Sequence, residues 1–263
     1  MRALSNDIEV AWFEAGRGDP LILVHGLGDD HRAWRKALPD LMLRRRLVMY
    51  DLRGHGETSF GRADGTLRQL GDDLVALMDA LGIGQADVAG FSLGGTIAMR
   101  VAIDHPARVR GLVLVATSSR VGRAAADWYR ERVGMVERED TQLRDTLEKD
   151  TADVYAQSPD ELEAGLLIRR QSTADPRGYG NACAAMAALN AAPLDPELER
   201  IGAPALVVAS ELDRHCPPKA AEIIASGIKG SQIEVIAGAG HPIPVEKPCE
   251  LARMINSFLS HLG

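Results

Sequence analysis

The stretch Gly90-Phe91-Ser92-Leu93-Gly94 sets a serine between two glycines, with an apolar run before it and an amphipathic run after it. At a strand-to-helix corner this arrangement suits a nucleophile. Small neighbours let the chain turn sharply and let a carbonyl approach, and the first N–H groups of the following helix face an incoming oxyanion. A serine hydroxyl is a weak nucleophile at neutral pH, so it needs a base in hydrogen-bond reach and a carboxylate to fix that base's tautomer. Among seven histidines, His241 is the candidate base, because Gly238-Ala239-Gly240-His241 follows the last strand-like run. His25 and His55 stand in glycine-rich turns and read as structural, whereas His31, His105, His215 and His261 read as surface or loop residues. Asp213, on the loop that leaves the apolar run 205–209, is the candidate acid, with Glu211 as second choice. The chain order serine, acid, histidine is the one expected where the nucleophile sits at such a corner. In His25-Gly26-Leu27-Gly28 the glycines permit close backbone approach, so the Leu27 N–H is expected to join the Leu93 N–H as an oxyanion donor. One such donor stabilises a transition state by about 3 to 4 kcal/mol.

The elements that must hold these groups alternate along the chain. Strand-length apolar runs fall at 8–14, 21–25, 47–51, 86–91, 111–116, 205–209 and 232–236, and helix-period segments at 32–43, 67–81, 93–104, 219–228 and 248–262. That alternation predicts an α/β protein, a mostly parallel sheet with helices on both faces. From 121 to 201 the strand rhythm gives way to charged, alanine-rich helical sequence, broken at Ser158-Pro159 and Asp175-Pro176. A helical cap over 121–201, inserted into a core of 1–120 and 202–263, is therefore expected.

A chain of 263 residues, 46% of them hydrophobic, is long enough for one large core. Its net charge of −7 opposes nucleic acid or an anionic membrane as partner, since both recruit basic surfaces. Arg44-Arg45-Arg46 is the one basic run and is expected to be a solvated face at a helix end. Three widely spaced cysteines, Cys183, Cys216 and Cys249, define no disulfide framework and no metal spacing. The first residues carry no basic-then-apolar leader pattern, and no apolar run has membrane-spanning length, so a cytoplasmic protein is expected. Asp29-Asp30-His31 reads as a helix N-cap with solvated charges, and Gly82-Ile83-Gly84 ends a helix instead of following a strand. Neither a metal nor a cofactor is expected.

Taken together, the His25-Gly26 loop, the Asp51-to-Gly56 turn, the Ser92 corner, Asp213 and His241 resemble the α/β-hydrolase superfamily over nearly the whole chain. The insertion carries a narrower resemblance. Asp175-Pro176-Arg177-Gly178-Tyr179 with Cys183-Ala184-Ala185, the set Trp128, Arg132 and Gly134, and Thr117-Ser118-Ser119-Arg120-Val121-Gly122 are similar to 3-oxoadipate enol-lactonases. This resemblance implies a cofactor-free serine hydrolase acting on a small ester or lactone through an acyl-enzyme. An enol-lactone of that kind bears carboxylates, which makes Arg120, Arg132, Arg169 and Arg170 candidate grips. Trp34 and Trp128 are candidate pocket walls. Many such lactonases carry serine-asparagine-serine-leucine-glycine where this chain has Val24-His25-Gly26-Leu27-Gly28, which keeps a general carboxylesterase as the alternative. Carbon–carbon hydrolases of ring-fission products rank lower, because Asp29-Asp30 and Phe91 stand where they carry other residues. A ligand receptor of the same fold is the non-enzyme alternative. The sequence specifies no oligomeric state.

Overall fold

The computed structural model describes residues 1–262. Eight strands form one sheet in the order β1-β2-β4-β3-β5-β6-β7-β8. They are β1 (Arg2–Ser5), β2 (Ile8–Gly16), β3 (Pro20–Val24), β4 (Arg46–Tyr50), β5 (Ala86–Phe91), β6 (Val109–Val115), β7 (Ala205–Ser210) and β8 (Gln232–Ile236). β1 and β2 run antiparallel to their neighbours, and β3 to β8 pair in parallel. Strands β5 and β7, each flanked by parallel neighbours, bury every residue, as apolar runs do when helices cover both faces of a sheet.

On one face lie α2 (Leu67–Ala80), α3 (Leu93–Asp104) and α8 (Pro218–Gly227), whose Leu70, Leu74, Ile97, Val101 and Ile224 pack on Val88, Leu112 and Val207. On the other, α1 (Leu38–Leu41), α9 (Ile243–Glu246) and α10 (Pro248–Ser260) bring Leu41, Ile243, Ile255 and Leu259 against Leu23, Ala89 and Val113. Between β6 and β7 intervene α4 (Arg123–Glu137), α5 (Leu143–Val154), α6 (Leu162–Ser172) and α7 (Pro176–Ala188). Asp175 caps α7, accepting from the Arg177 N–H, and a short turn at Pro159–Glu161 separates α5 from α6.

Two expectations change. The helix expected over 32–43 is a 3₁₀ turn at His31–Trp34 followed by the four-residue α1. Pro39 has no N–H to return to the Arg35 carbonyl and crowds it, so one continuous helix cannot form. β1 was not expected, because its burial is one-sided and Leu4 stays 76% exposed at the sheet edge. Leu198 and Ile201, at the end of 121–201, join Ile224 in the same apolar cluster as Ala126, Ala182 and Met186, and the Leu194 N–H donates to the Ser119 carbonyl.

Candidate active site

β5 delivers Ser92 at its carboxyl end, and α3 starts at the next residue. Ser92 holds φ 53° and ψ −121°, a left-handed conformation rare outside glycine. Its own bonds maintain it. The Ser92 N–H donates to the Val115 carbonyl of β6 at 2.9 Å, and the Ser92 carbonyl accepts from Thr117 Oγ1 at 2.7 Å. The flanking glycines are required by space: a Cβ on Gly90 would lie 2.2 Å from the Gly94 carbonyl oxygen, and one on Gly94 would lie 2.3 Å from that of Val24.

Three side chains from separate elements meet there. Ser92 Oγ is 3.0 Å from His241 Nε2, and His241 Nδ1 is 2.8 Å from Asp213 Oδ2. Asp213 Oδ1 accepts from the His215 N–H at 2.8 Å and the Cys216 N–H at 2.9 Å, so both carboxylate oxygens are engaged. Burial alone would raise the Asp213 pKa, but His241 and these two N–H groups outweigh it and hold the carboxyl below the usual range. Asp213 is thus an anion wherever His241 needs one. Glu211, the second choice for the acid, instead accepts from the Gly238 N–H at 2.9 Å. The Phe91 ring lies 5.1 Å from the His241 ring, as does the His215 ring.

The loop after β3 faces this corner. Leu93 is the first residue of α3 and Leu27 lies in the β3 loop; among the described residues neither N–H has a protein acceptor. His25 and His55 are both buried and both serve the backbone here. His25 Nε2 accepts from the Leu52 N–H at 2.9 Å, and His55 Nε2 accepts from the Gly28 N–H at 3.3 Å. Burial pushes the His55 pKa down to about 3.

The expected substrate grips are otherwise engaged. Arg132 is buried and forms a fork onto Asp150 at 2.9 and 3.0 Å, with Glu131 at 3.0 Å, and it stacks 4.4 Å over the Trp128 ring. Arg120 is exposed and pairs with Asp195, beside a groove of about 400 Å³ that none of Ser92, Asp213 and His241 lines. Arg170 pairs with Glu148 at 2.7 Å. Trp34 is fully buried, its Nε1 donating to the Val24 carbonyl.

Asp30 caps the turn at His31–Trp34, as the sequence predicts, but it is buried instead of solvated, and Asp51 is buried beside it. Arg32 forks onto Asp30, and His31, stacked on Phe13 at 3.5 Å, places Nδ1 2.8 Å from Asp51 Oδ1. Asp30, His31 and Asp51 are close enough to hold a cation, but their carboxylate oxygens are already taken by Arg32, His31 and the N–H groups of Arg32, His31 and Glu57. The sequence placed Thr117 only in the stretch Thr117-to-Gly122 and His215 only among surface or loop residues, and pointed to neither as a support of the site. The polar run Thr117-Ser118-Ser119 at the carboxyl end of β6 was the available signal for the first; His215 acts through its backbone, which leaves no side-chain signal.

A family model described as alpha/beta hydrolase fold matches residues 19–248. The chain is 29% identical over 248 residues to 3-oxoadipate enol-lactonase 2 of Acinetobacter baylyi, covering 93% of this chain and 90% of that protein. Over 120 residues it is 41% identical to the dihydrolipoyllysine-residue acetyltransferase component of the acetoin cleaving system of Pseudomonas putida, spanning 32% of that protein's length and 45% of its own. Among solved structures, the enol-lactonase of Burkholderia xenovorans superposes with a TM-score of 0.88 at 26% identity, covering 99% of this chain and all of that one. A thermophilic esterase of Thermogutta terrifontis superposes with a TM-score of 0.87 at 28% identity, covering 100% and 98%. No helix among the described residues is long and apolar enough to cross a membrane.

Proposed function

The chain belongs to the α/β-hydrolase family, and on that premise we propose that it cleaves a small ester or lactone with Ser92 as nucleophile, His241 as base and Asp213 as orienting acid. The observation that carries this reading is the continuous hydrogen-bonded line from Ser92 Oγ through His241 to Asp213 at a strained corner. His241 Nε2 takes the Ser92 proton as Oγ attacks the carbonyl carbon, and Asp213 stabilises the imidazolium that results. The tetrahedral oxyanion is received by the Leu27 and Leu93 N–H groups. Collapse expels the alkoxide or enolate, protonated by His241, and leaves an acyl-serine. Water deprotonated by the same histidine then releases the acid and restores Ser92. None of these steps asks for a metal or cofactor.

The full-length likeness to enol-lactonases makes an enol-lactone the first substrate to test. A second reading, a simple carboxylic ester, is favoured by the pairing of Arg120, Arg132 and Arg170 with Asp195, Asp150 and Glu148 and by the hydrogen bond from Arg169 to the Leu27 carbonyl, which engage all four candidate grips. Three unpaired cysteines support a reducing, cytoplasmic setting. We take the four insertion helices to be a cap over the site.

The test is steady-state hydrolysis of 3-oxoadipate enol-lactone and of p-nitrophenyl acetate by wild type, Ser92→Ala and Asp213→Asn. Wild type should turn over repeatedly, which a receptor would not, and Ser92→Ala should lose activity by several orders of magnitude while keeping its fold. Asp213→Asn should lose about 10⁴-fold in kcat, the effect of a wrong histidine tautomer. A Ser92→Ala protein as active as wild type sinks the mechanism; activity on the acetate alone removes the lactone.

A further inference from the structure

We infer that helix α6 of the insertion positions the oxyanion loop, with Arg169 and Ser172 as the positioning residues; the inference rests on the serine-hydrolase reading above. Three residues apart, these two share one face of α6. That face meets two consecutive carbonyls of the loop. Arg169 Nη1 donates to the Leu27 carbonyl at 2.6 Å, and Ser172 Oγ donates to that of Gly28. With the Gly28 N–H on His55, the peptide unit between Leu27 and Gly28 is held at both its oxygen and its nitrogen. The unit that carries the Leu27 N–H is its immediate neighbour.

Gly28 makes the approach feasible: it holds φ +66°, and a Cβ there would lie 1.7 Å from Arg169 Nη1. Behind the guanidinium, Arg169 Nε donates to Thr151 Oγ1 of α5 at 3.2 Å, and that hydroxyl donates to the Leu147 carbonyl. Arg169 is 9% exposed. Among the described residues it has no carboxylate within ion-pair distance, unlike Arg120, Arg132 and Arg170. Asp29, in the same loop, feels its charge only through space. Burying an unpaired guanidinium is costly, and the charge is used on a neutral loop carbonyl, through a short charge-assisted hydrogen bond. A fixed positive charge thereby stands behind the loop that receives the oxyanion. Arg169 therefore serves the chemistry through Leu27, and docking of the insertion and geometry of the oxyanion loop become one property.

The test measures kcat and KM for p-nitrophenyl acetate with full-length Arg169→Ala, Arg169→Lys, Ser172→Ala, Ser92→Ala and, as a control, the exposed neighbour Arg170→Ala. A loop displaced by about 1 Å costs about 100-fold in rate, so Arg169→Ala should lose on the order of that in kcat with KM little changed. Ser172→Ala should lose less, and Arg170→Ala should match wild type. Arg169 lines a groove of about 390 Å³ with Leu147 and Glu148 of α5, so added guanidinium ion should reach the emptied position. It should restore part of the kcat lost in Arg169→Ala and none of that lost in Ser172→Ala, and Arg169→Lys should lie between alanine and wild type.

Wild-type kcat in folded Arg169→Ala overturns the inference. So does a change confined to KM, which would move Arg169 to substrate binding, or a loss that neither guanidinium nor lysine relieves, which would make its role purely structural. Should Arg169→Ala fail to fold, wild-type kcat in Ser172→Ala overturns it instead. An active Ser92→Ala removes the underlying mechanism, whereas an inactive Ser92→Ala beside unimpaired Arg169→Ala and Ser172→Ala removes only this inference.

Discussion

Single residues here are constrained by what approaches their backbone. Ser92 keeps a left-handed φ because β6 holds its N–H, Thr117 holds its carbonyl, and Gly90 and Gly94 leave room for the turn. This part of the site was legible in the sequence, since the serine, its glycines and the strand-then-helix context lie within a few consecutive residues. Arg132 was not, because Asp150, eighteen positions along the chain, satisfies it. His55 was legible as a scaffold, and its environment makes a further prediction. Its pKa, held down to about 3 chiefly by burial, keeps Nε2 neutral and able to accept the Gly28 N–H. An unfolded histidine titrates near 6.5, so below that value the unfolded chain binds a proton that the native ring refuses. The contribution of His55 is intact above the unfolded value and is lost as pH falls toward 3, by on the order of 1 kcal/mol per pH unit. Nitrogen-15 spectra should show the His55 ring neutral well below pH 6. Denaturation at pH 7 and pH 5 should show a loss of stability that shrinks in His55→Gln. An imidazole titrating at its ordinary value would refute this.

Between elements, the decisive contact is glycine on glycine. A Cβ on Gly178, in the first turn of α7, would lie 2.2 Å from the Gly54 carbonyl oxygen, in the turn after β4. The start of α7 could be read from Asp175 and Pro176, which cap and open it locally. The reason for Gly178 could not, because its partner lies in a distant turn. For the same reason Pro39 was an available signal against a helix over 32–43, while the marginal, one-sided β1 offered almost none. Backbone meets backbone at Gly54 and Gly178, so no side chain can swing away to accommodate a methyl group. Gly178→Ala should therefore push α7 off the turn and cost about 1–3 kcal/mol. Urea denaturation should register the loss, with hydrogen exchange rising in α7 more than in β3 to β6. Gly84→Ala is the matched control, since an added Cβ there meets nothing within 4 Å. Equal stability of the two variants would show that the insertion is not docked through this contact.

Across the whole molecule the sheet is polarised. Ser92 and the loops carrying Asp213 and His241 lie at the carboxyl ends of parallel strands, while the opposite end is closed by charge. Asp87, the second residue of β5, is fully buried and takes Arg45 Nη1 at 3.0 Å and Arg110 Nη2 at 2.7 Å, joining the chain just before β4 to β6. Asp19, just before β3, adds a 3.1 Å contact to Arg110. Arg45 is thus not part of a solvated basic run: it is 6% exposed, its partner lies 42 residues away, and only Arg44 beside it is left exposed. Removing Asp87 alone is worse than removing the cluster, because buried Arg45 keeps its desolvation cost with only the exposed Asp19, 3.8 Å away, as its anion. Asp87→Ala should lose about 3–5 kcal/mol, a fall in Tm on the order of 10 °C for a chain of this size. Because the clamp lies at the far end of the strands from Ser92, kcat per folded molecule should be unchanged at a temperature where the variant is still native. Calorimetry beside active-site-titrated kinetics separates the two effects. A large drop in kcat with wild-type Tm would mean that charge at the amino edge of the sheet governs the chemistry at the carboxyl edge, against the division of labour argued here.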